Sequence, residues 1–316
     1  MCDMRVLSAI LLVALQTGPA PVRPHFSMSP ELATCADQYY NFEFSLAVAC
    51  TRDAYRRHSE SLEVMVWHSR VLWVSELDRH VDVNQSLLAL VLEKEPIRQL
   101  VDPAVRQEFL TIVNRATALA KSLSPSDTNR YYLGEIYGNQ TAWNLLLEGR
   151  KREALGGVKR TMQQMEGLVA RDPSIAEPYA LLGMGNYLLA TNPWYMRAIA
   201  FFFGASGDKP EALRQLRLAS DAEIEDARFL YKSVLIREGR IPEAIDLVNK
   251  LLQRYRRNVF FVIELGDMLA RVGRVDEARS EYERARRLIA ERAELSTRFM
   301  PGFIEGKLKG LSKPRL

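Results

Sequence analysis

The chain has 316 residues, 47% hydrophobic and 26% charged, a globular composition and not that of a disordered chain. Gly 17 and Pro 14 exclude a collagen-like or linker-dominated protein, and three cysteines exclude both a disulfide-rich scaffold and a four-cysteine zinc site. A net charge of +4 is small for this length and argues against a dedicated nucleic-acid binder, which concentrates basic residues on one face.

Residues 1–24 read as a signal-peptide-like segment and linker. Arg5 stands before an apolar run from Val6 to Leu15, and Pro19 to Pro24 breaks any helix after it. Ten residues span ~15 Å as a helix, too short for a membrane anchor. The expectation is an exported protein of the periplasm, cell envelope or exterior, its mature chain starting beyond residue 16. The alternative is an uncleaved tail on a cytoplasmic protein. No other apolar run reaches the ~18 residues of a stable membrane span.

Beyond residue 30 the apolar residues recur at spacings of three and four, the helical period. Two strand-like runs, Val64 to Val74 and Asn258 to Ile263, pass into helical patterning and are assigned to helices. Residues 25–126 read as divergent helix hairpins, with a long connection around Asn84 to Asp102. Residues 127–222 hold two hairpins with insertions. Tyr131-Tyr132-Leu133-Gly134 opens the first helix of one, and Arg152-Glu153-Ala154 belongs to its partner, about eight residues later than a regular repeat requires. Pro178 to Tyr187, with Gly183, opens the next, and its second helix resumes at Gly207-Asp208-Lys209-Pro210-Glu211-Ala212 after about 17 extra residues. Residues 223–292 hold two regular repeats. Offset by ~34 residues, Leu235 aligns with Leu269, Gly239 with Gly273 and Ala244 with Ala278. Residues 293–316 read as a C-terminal capping helix, interrupted near Pro301-Gly302, whose Lys307, Lys309 and Lys313 keep its outer face soluble.

A 34-residue helix–turn–helix period with small residues at these positions resembles the tetratricopeptide-repeat superfamily over roughly residues 30–292. Pro193-Trp194-Tyr195 followed by Gly207-Asp208-Lys209 is also similar to an uncharacterised group of exported bacterial repeat proteins. The resemblance implies an all-α, right-handed solenoid of about six hairpins, with a long insertion in the fourth. It implies repeat packing through Gly134, Ala154, Gly183, Ala212, Gly239, Ala244, Gly266, Gly273 and Ala278, with Gly266 against Ala278. Each pair should bury one face on its neighbour, so that stability is close to a nearest-neighbour sum.

Catalytic signals are near absent. His25, His58, His68 and His80 lack a His-Glu-x-x-His spacing and read as core or surface histidines. Gly183-Met184-Gly185 lacks the third glycine and the preceding strand of a dinucleotide fingerprint. Carboxylates fall almost entirely at solvated helix positions, so no acid–base pair stands out. No enzyme, metal site or cofactor is expected. The basic clusters, Arg150-Lys151-Arg152, Lys159-Arg160 and Arg254 to Arg257, lie near helix ends, where solvated cations belong. Cys35 and Cys50 face each other across the first hairpin. They form a disulfide if the chain is exported or serve as buried small apolar residues, and the second reading is preferred.

The functional expectation is a non-enzymatic scaffold that binds a peptide segment or partner protein in its concave groove. The first helices of successive repeats place Tyr131, Glu135, Asn139, Met184, Tyr187, Phe229, Ser233, Arg237, Asp267 and Arg271 on that face. The insertion offers a second partner patch at Trp194, Tyr195 and Phe201. The alternative is a small-ligand carrier or transport-associated repeat protein, favoured if an apolar cavity replaces the open groove.

Overall fold

The computed structural model describes residues 21–80, 99–191, 206–292 and 302–311. Six antiparallel helix pairs follow one another along the described chain. They are α1 (Pro30–Tyr40) with α2 (Phe44–Arg57), α3 (Leu62–His80) with α4 (Pro103–Ser122), and α5 (Asp127–Ala142) with α6 (Lys151–Arg171). Then come α7 (Pro178–Thr191) with α8 (Lys209–Asp221), α9 (Glu225–Arg237) with α10 (Ile241–Arg254), and α11 (Val259–Arg271) with α12 (Val275–Ala290). A last helix, α13 (Phe303–Leu311), packs on α12. The described residues contain no strand, only an isolated bridge between Arg23 and Ile175. Each helix packs on the next in sequence, which makes an all-α solenoid. The leader-like segment 1–20, the long connection at 81–98 and the Trp194, Tyr195 and Phe201 patch lie outside the described residues.

Local chemistry sets the helix ends. Asp102, Ser126, Asp208 and Asn258 each accept a backbone N–H of the first turn of the helix that follows. Proline occupies the first turn of α1, α4, α8 and α10, where no N–H is missed. Gly239 and Gly273, at φ +73° and +83°, end α9 and α11 in the left-handed conformation. At Gly273 its own N–H reaches Ala270 O, and the Arg274 N–H reaches Leu269 O at 2.9 Å, which satisfies two orphan carbonyls. Glu223 fills the same position after α8 with φ 66°, and the Ile224 N–H reaches Ala219 O. A side chain there is strained, and its ion pair with Arg228 leaves it three-quarters exposed. Glu223→Gly is therefore expected to raise stability by ~0.5–1 kcal/mol, the relief exceeding the added entropy of the unfolded chain. A urea midpoint at or below that of the parent would count against this strain.

Both strand-like runs are helical, Val64 to Val74 inside α3 and Val259 to Ile263 at the start of α11. The eight late residues of the third hairpin are accounted for as well. Helix α5 continues into a π-helical turn, Trp143–Leu147, and Trp143 stacks on Phe109 at 4.2 Å. The close approach of this hairpin then falls at Gly157 against Thr141, while Gly134 faces Met165. Ala154 and Ala244 are fully buried. Gly183 does meet the Ala212–Leu216 stretch of α8, where a Cβ would lie 3.0 Å from Ala212 O. Gly266 and Ala278 are both buried, but Gly266 abuts the ring of Tyr282 and not Ala278. The larger residue one turn further on fills the gap that the missing side chain leaves.

Two expectations are overturned. The first concerns the cysteines. Cys35 and Cys50 are disulfide-bonded, with Cα atoms 5.5 Å apart, and tie α1 to α2. The thiol reading failed because sequence spacing alone does not give Cα separation. The second concerns the nearest-neighbour sum, because the first pair also meets the fifth and sixth. The α1–α2 turn docks on α9, on the turn between α10 and α11 and on α11, more than 180 residues away by sequence. Tyr40 Oη donates to Asp226 at 2.7 Å, and Asn258 Nδ2 donates to Tyr40 O at 2.7 Å. Arg257 pairs with Asp37 and Glu43 at 2.7 and 3.0 Å. Phe42 packs among Phe229, Phe260 and Phe261. The helix array thus curls back on itself. Arg257, which the sequence places among solvated cations, is part of the closure. Lys307 is likewise not an outward solubilising residue. It reaches Asp267 at 2.6 Å and lies over the rings of Tyr282 and Phe303.

Candidate functional site

Closure creates an interior. A part-enclosed cavity of about 220 Å³ lies inside the curl. Its wall is overwhelmingly apolar and comes mainly from the first helices of the pairs. Trp73 and Val74 of α3, Gly138 and Ala142 of α5, Leu181, Met184 and Leu188 of α7, and Phe229 and Leu230 of α9 all contribute. Leu145 and Leu146 of the π-helical turn and Val158 and Met162 of α6 complete one side. The π-turn is the local device here, since an extra residue per turn rotates Leu145 and Leu146 relative to a continuous helix.

An ionic cluster is set into this wall. Arg70, buried in α3, donates to Glu135 and to Asp226. Burial alone would pull the guanidinium down, but Asp226 and Glu135 hold it above its ordinary range. Burial pushes Glu135 up, and Arg70 opposes that rise. Tyr39, Tyr40 and Tyr131 surround the cluster, and burial pushes each hydroxyl up, so all three stay protonated at neutral pH. Arg70 also lies 4.9 Å over the Trp67 ring. At the same wall Glu177 precedes α7. Its Oε1 accepts the N–H groups of His25 and Phe26 at 2.7 and 2.8 Å, which straps the extended segment 21–26 across the molecule. Phe26 in turn stacks on Tyr131 at 4.2 Å.

The residues expected to form a concave groove divide. Tyr131, Glu135, Asn139, Met184 and Phe229 line the cavity. Asn139 is committed to α3. It accepts from Trp73 Nε1 and donates to Val66 O and Ser69 Oγ. Tyr187 is buried and donates to Glu238 at 2.7 Å, and Ser233 is buried and donates to Phe229 O. Arg237, Asp267 and Arg271 are exposed and do not line it.

The sequence reading missed Arg70, Trp73, Asp226, Thr161 and Glu177. It also placed the carboxylates at solvated positions, whereas Glu135 and Glu177 are buried. One signal was available. A single arginine inside the apolar run from Val64 to Val74 has to find a buried partner.

A second polar chain runs through the first two pairs. Thr51 Oγ1 meets His68 Nδ1 at 2.9 Å, and His68 Nε2 meets Glu108 at 3.1 Å. Its order resembles a nucleophile–histidine–acid triad, but Thr51 and His68 have no exposed surface and the Thr51 hydroxyl donates to Ala47 O. The chain is a staple between α2, α3 and α4. Arg52, then His68, hold the Glu108 carboxyl down to about 2, against the lesser effect of burial. A depressed folded value means stability that is present above the unfolded carboxylate range. It is lost as pH falls from about 5 towards 2. Glu108→Gln is expected to remove ~1–2 kcal/mol at pH 7, screening by solvent included, and less than half of that at pH 3. Denaturant midpoints at the two pH values measure it, and equal losses would count against the staple.

Among the described residues no group of His, Cys, Asp and Glu side chains is placed to hold a metal ion, and no helix is long and apolar enough to cross a membrane.

No family model matches the chain, and no curated protein matches it. Solved structures do. The TPR2AB-domain:pHSP90 complex of yeast Sti1 is 14% identical, with 90% of this chain and 97% of that chain covered and a TM-score of 0.28. Yeast Tom70 is 14% identical over 93% of this chain and 67% of its own, with a TM-score of 0.29. The TPR domain of P58(IPK) is 15% identical over 89% and 77%, with a TM-score of 0.21. At these scores the likeness carries no inference about partner or activity.

Proposed function

We propose that this chain is a non-enzymatic binding scaffold that takes its ligand on the inner side of the helix array. The observation that carries this reading is the cavity, which gathers apolar side chains from four first helices around one buried ionic cluster. An extended peptide advances ~3.3 Å per residue and needs a continuous furrow. The curl instead offers a hollow of about 220 Å³. For scale, an apolar cavity of about 150 Å³ accommodates benzene. The geometry therefore favours a small apolar ligand, or one apolar side chain presented by a partner protein, over a peptide strand. Export is part of the same proposal. The Arg5-led apolar run supports it, and so does the Cys35–Cys50 bond, since disulfides persist in oxidising compartments.

The test is native mass spectrometry of the full chain purified from its own envelope fraction, with N-terminal sequencing of the same sample. A co-purifying apolar molecule, absent from a Met184→Trp variant that fills the cavity, is the expected result. A partner protein captured equally well by wild type and by Met184→Trp would remove the cavity from the function. An intact Met1 or Met4 on soluble cytoplasmic protein would end the export reading.

A further inference from the structure

The cavity wall carries acceptors that no described residue satisfies. Glu177 is buried, and its Oε1 is taken up by the two strap N–H groups, but its Oε2 is buried with no hydrogen-bond partner. Thr161 Oγ1, on α6, is buried and unpartnered in the same wall. Leaving a buried carboxylate oxygen unpaired is costly, and native structures rarely do so without a bound group to meet it. The charges on the wall are also unbalanced. Among the described residues Arg70 is its one cation, and that cation is shared between Glu135 and Asp226. Glu177 adds a third carboxylate, with no cation of its own among the described residues.

Resting on the cavity reading above, we propose that the ligand is a small organic amine, its apolar body in the hollow and its protonated nitrogen donating to Glu177 Oε2. Three physical arguments point the same way. An ammonium group restores the charge balance that Arg70 leaves short. It donates where the wall has only an empty acceptor. Aromatic rings, those of Tyr39 and Tyr131, also line this wall, and their quadrupoles favour a cation over an anion beside them. A carboxylic acid of equal size has the opposite fit. It would bring a fourth carboxylate to a wall whose guanidinium is already bonded. A neutral alcohol would fill the volume and meet the acceptor, but it would leave the charge uncompensated.

The experiment uses the full chain and three probes of equal length, n-octylamine, n-octanol and octanoate, in isothermal titration at neutral pH. Octylamine is expected to bind about tenfold or more tightly than octanol, the margin of an ion pair over an alcohol's hydrogen bond to the same carboxylate, and octanoate most weakly. Glu177→Gln keeps the strap acceptor and removes the charge. It is expected to lower octylamine affinity about tenfold and octanol affinity by less, so that the preference for the amine collapses. Circular dichroism reports whether that variant folds, and if it does not, the wild-type ratio of octylamine to octanol decides alone. Equal affinities for octylamine and octanol overturn the amine while the cavity reading stands, and so does a preference for octanoate. Binding of none of the three overturns both.

Discussion

Arg70→Met is expected to destabilise the protein by ~3–5 kcal/mol, the effect of removing one partner from a buried ion pair. The guanidinium is almost wholly buried and bridges two carboxylates from different repeats, Glu135 on α5 and Asp226 on α9. Without it Glu135 is a buried carboxylate with no cation, and burial already pushes its pKa up. The sign of the pH dependence follows. A carboxyl whose folded pKa is raised binds its proton more tightly when folded, so its contribution is most favourable at low pH and is lost as pH rises through the folded value. The loss caused by Arg70→Met should therefore shrink between pH 7 and pH 5, because acid favours the folded state through Glu135 whereas it disfavours it through Glu108. Adding Glu135→Gln should recover part of the stability, because the double variant no longer buries a lone charge. Urea midpoints for the four members of this cycle provide the measurement. A loss below ~1 kcal/mol, or a double variant as unstable as the sum of the single ones, would mean that the cluster is solvated and not part of the core.

The repeats were legible where the physics is local. Gly239 and Gly273 announce left-handed helix ends, and the aligned Ala244 and Ala278 announce tight packing, because each depends on residues within one hairpin. The curl was not legible. Tyr40, Arg257 and Asn258 are ordinary polar residues near turns, and only the summed twist of the intervening helices brings them together. The site shares that difficulty. Tyr131, Glu135, Met184 and Phe229 follow from the repeat register alone, since first helices line the inside of such an array. Glu177 and Thr161 do not, because one belongs to a turn and the other to a second helix, and what makes them unusual is the absence of a partner in three dimensions. Asn139 shows the converse. Its register is right, but its hydrogen bonds go to α3, which a one-dimensional pattern does not reveal.

Phe42 puts the closure itself to the test. Its φ of 60° is a left-handed conformation that a bulky residue seldom adopts, and it costs ~1–2 kcal/mol. Glycine would remove that strain at the same turn. The ring explains the choice. Phe42 is buried against Phe44 at 5.0 Å and against Phe229, Phe260 and Phe261 at 6.1, 5.4 and 5.7 Å, so it joins the first pair to α9 and α11 while also lining the cavity. Phe42→Ala loses the ring and keeps the strain, and it should cost ~3–5 kcal/mol. Phe42→Gly loses the same ring but relaxes the backbone, so it should be the milder change by ~1 kcal/mol, the reverse of the usual order of the two residues. Both variants should loosen the closure before they unfold the repeats. Amide exchange should quicken first in the 37–44 and 255–261 stretches, ahead of the α11–α12 hairpin core around Ala278. Uniform exchange across the chain, or glycine proving worse than alanine, would show that the first pair is held by its disulfide and neighbouring helices and that the curl does not depend on this ring.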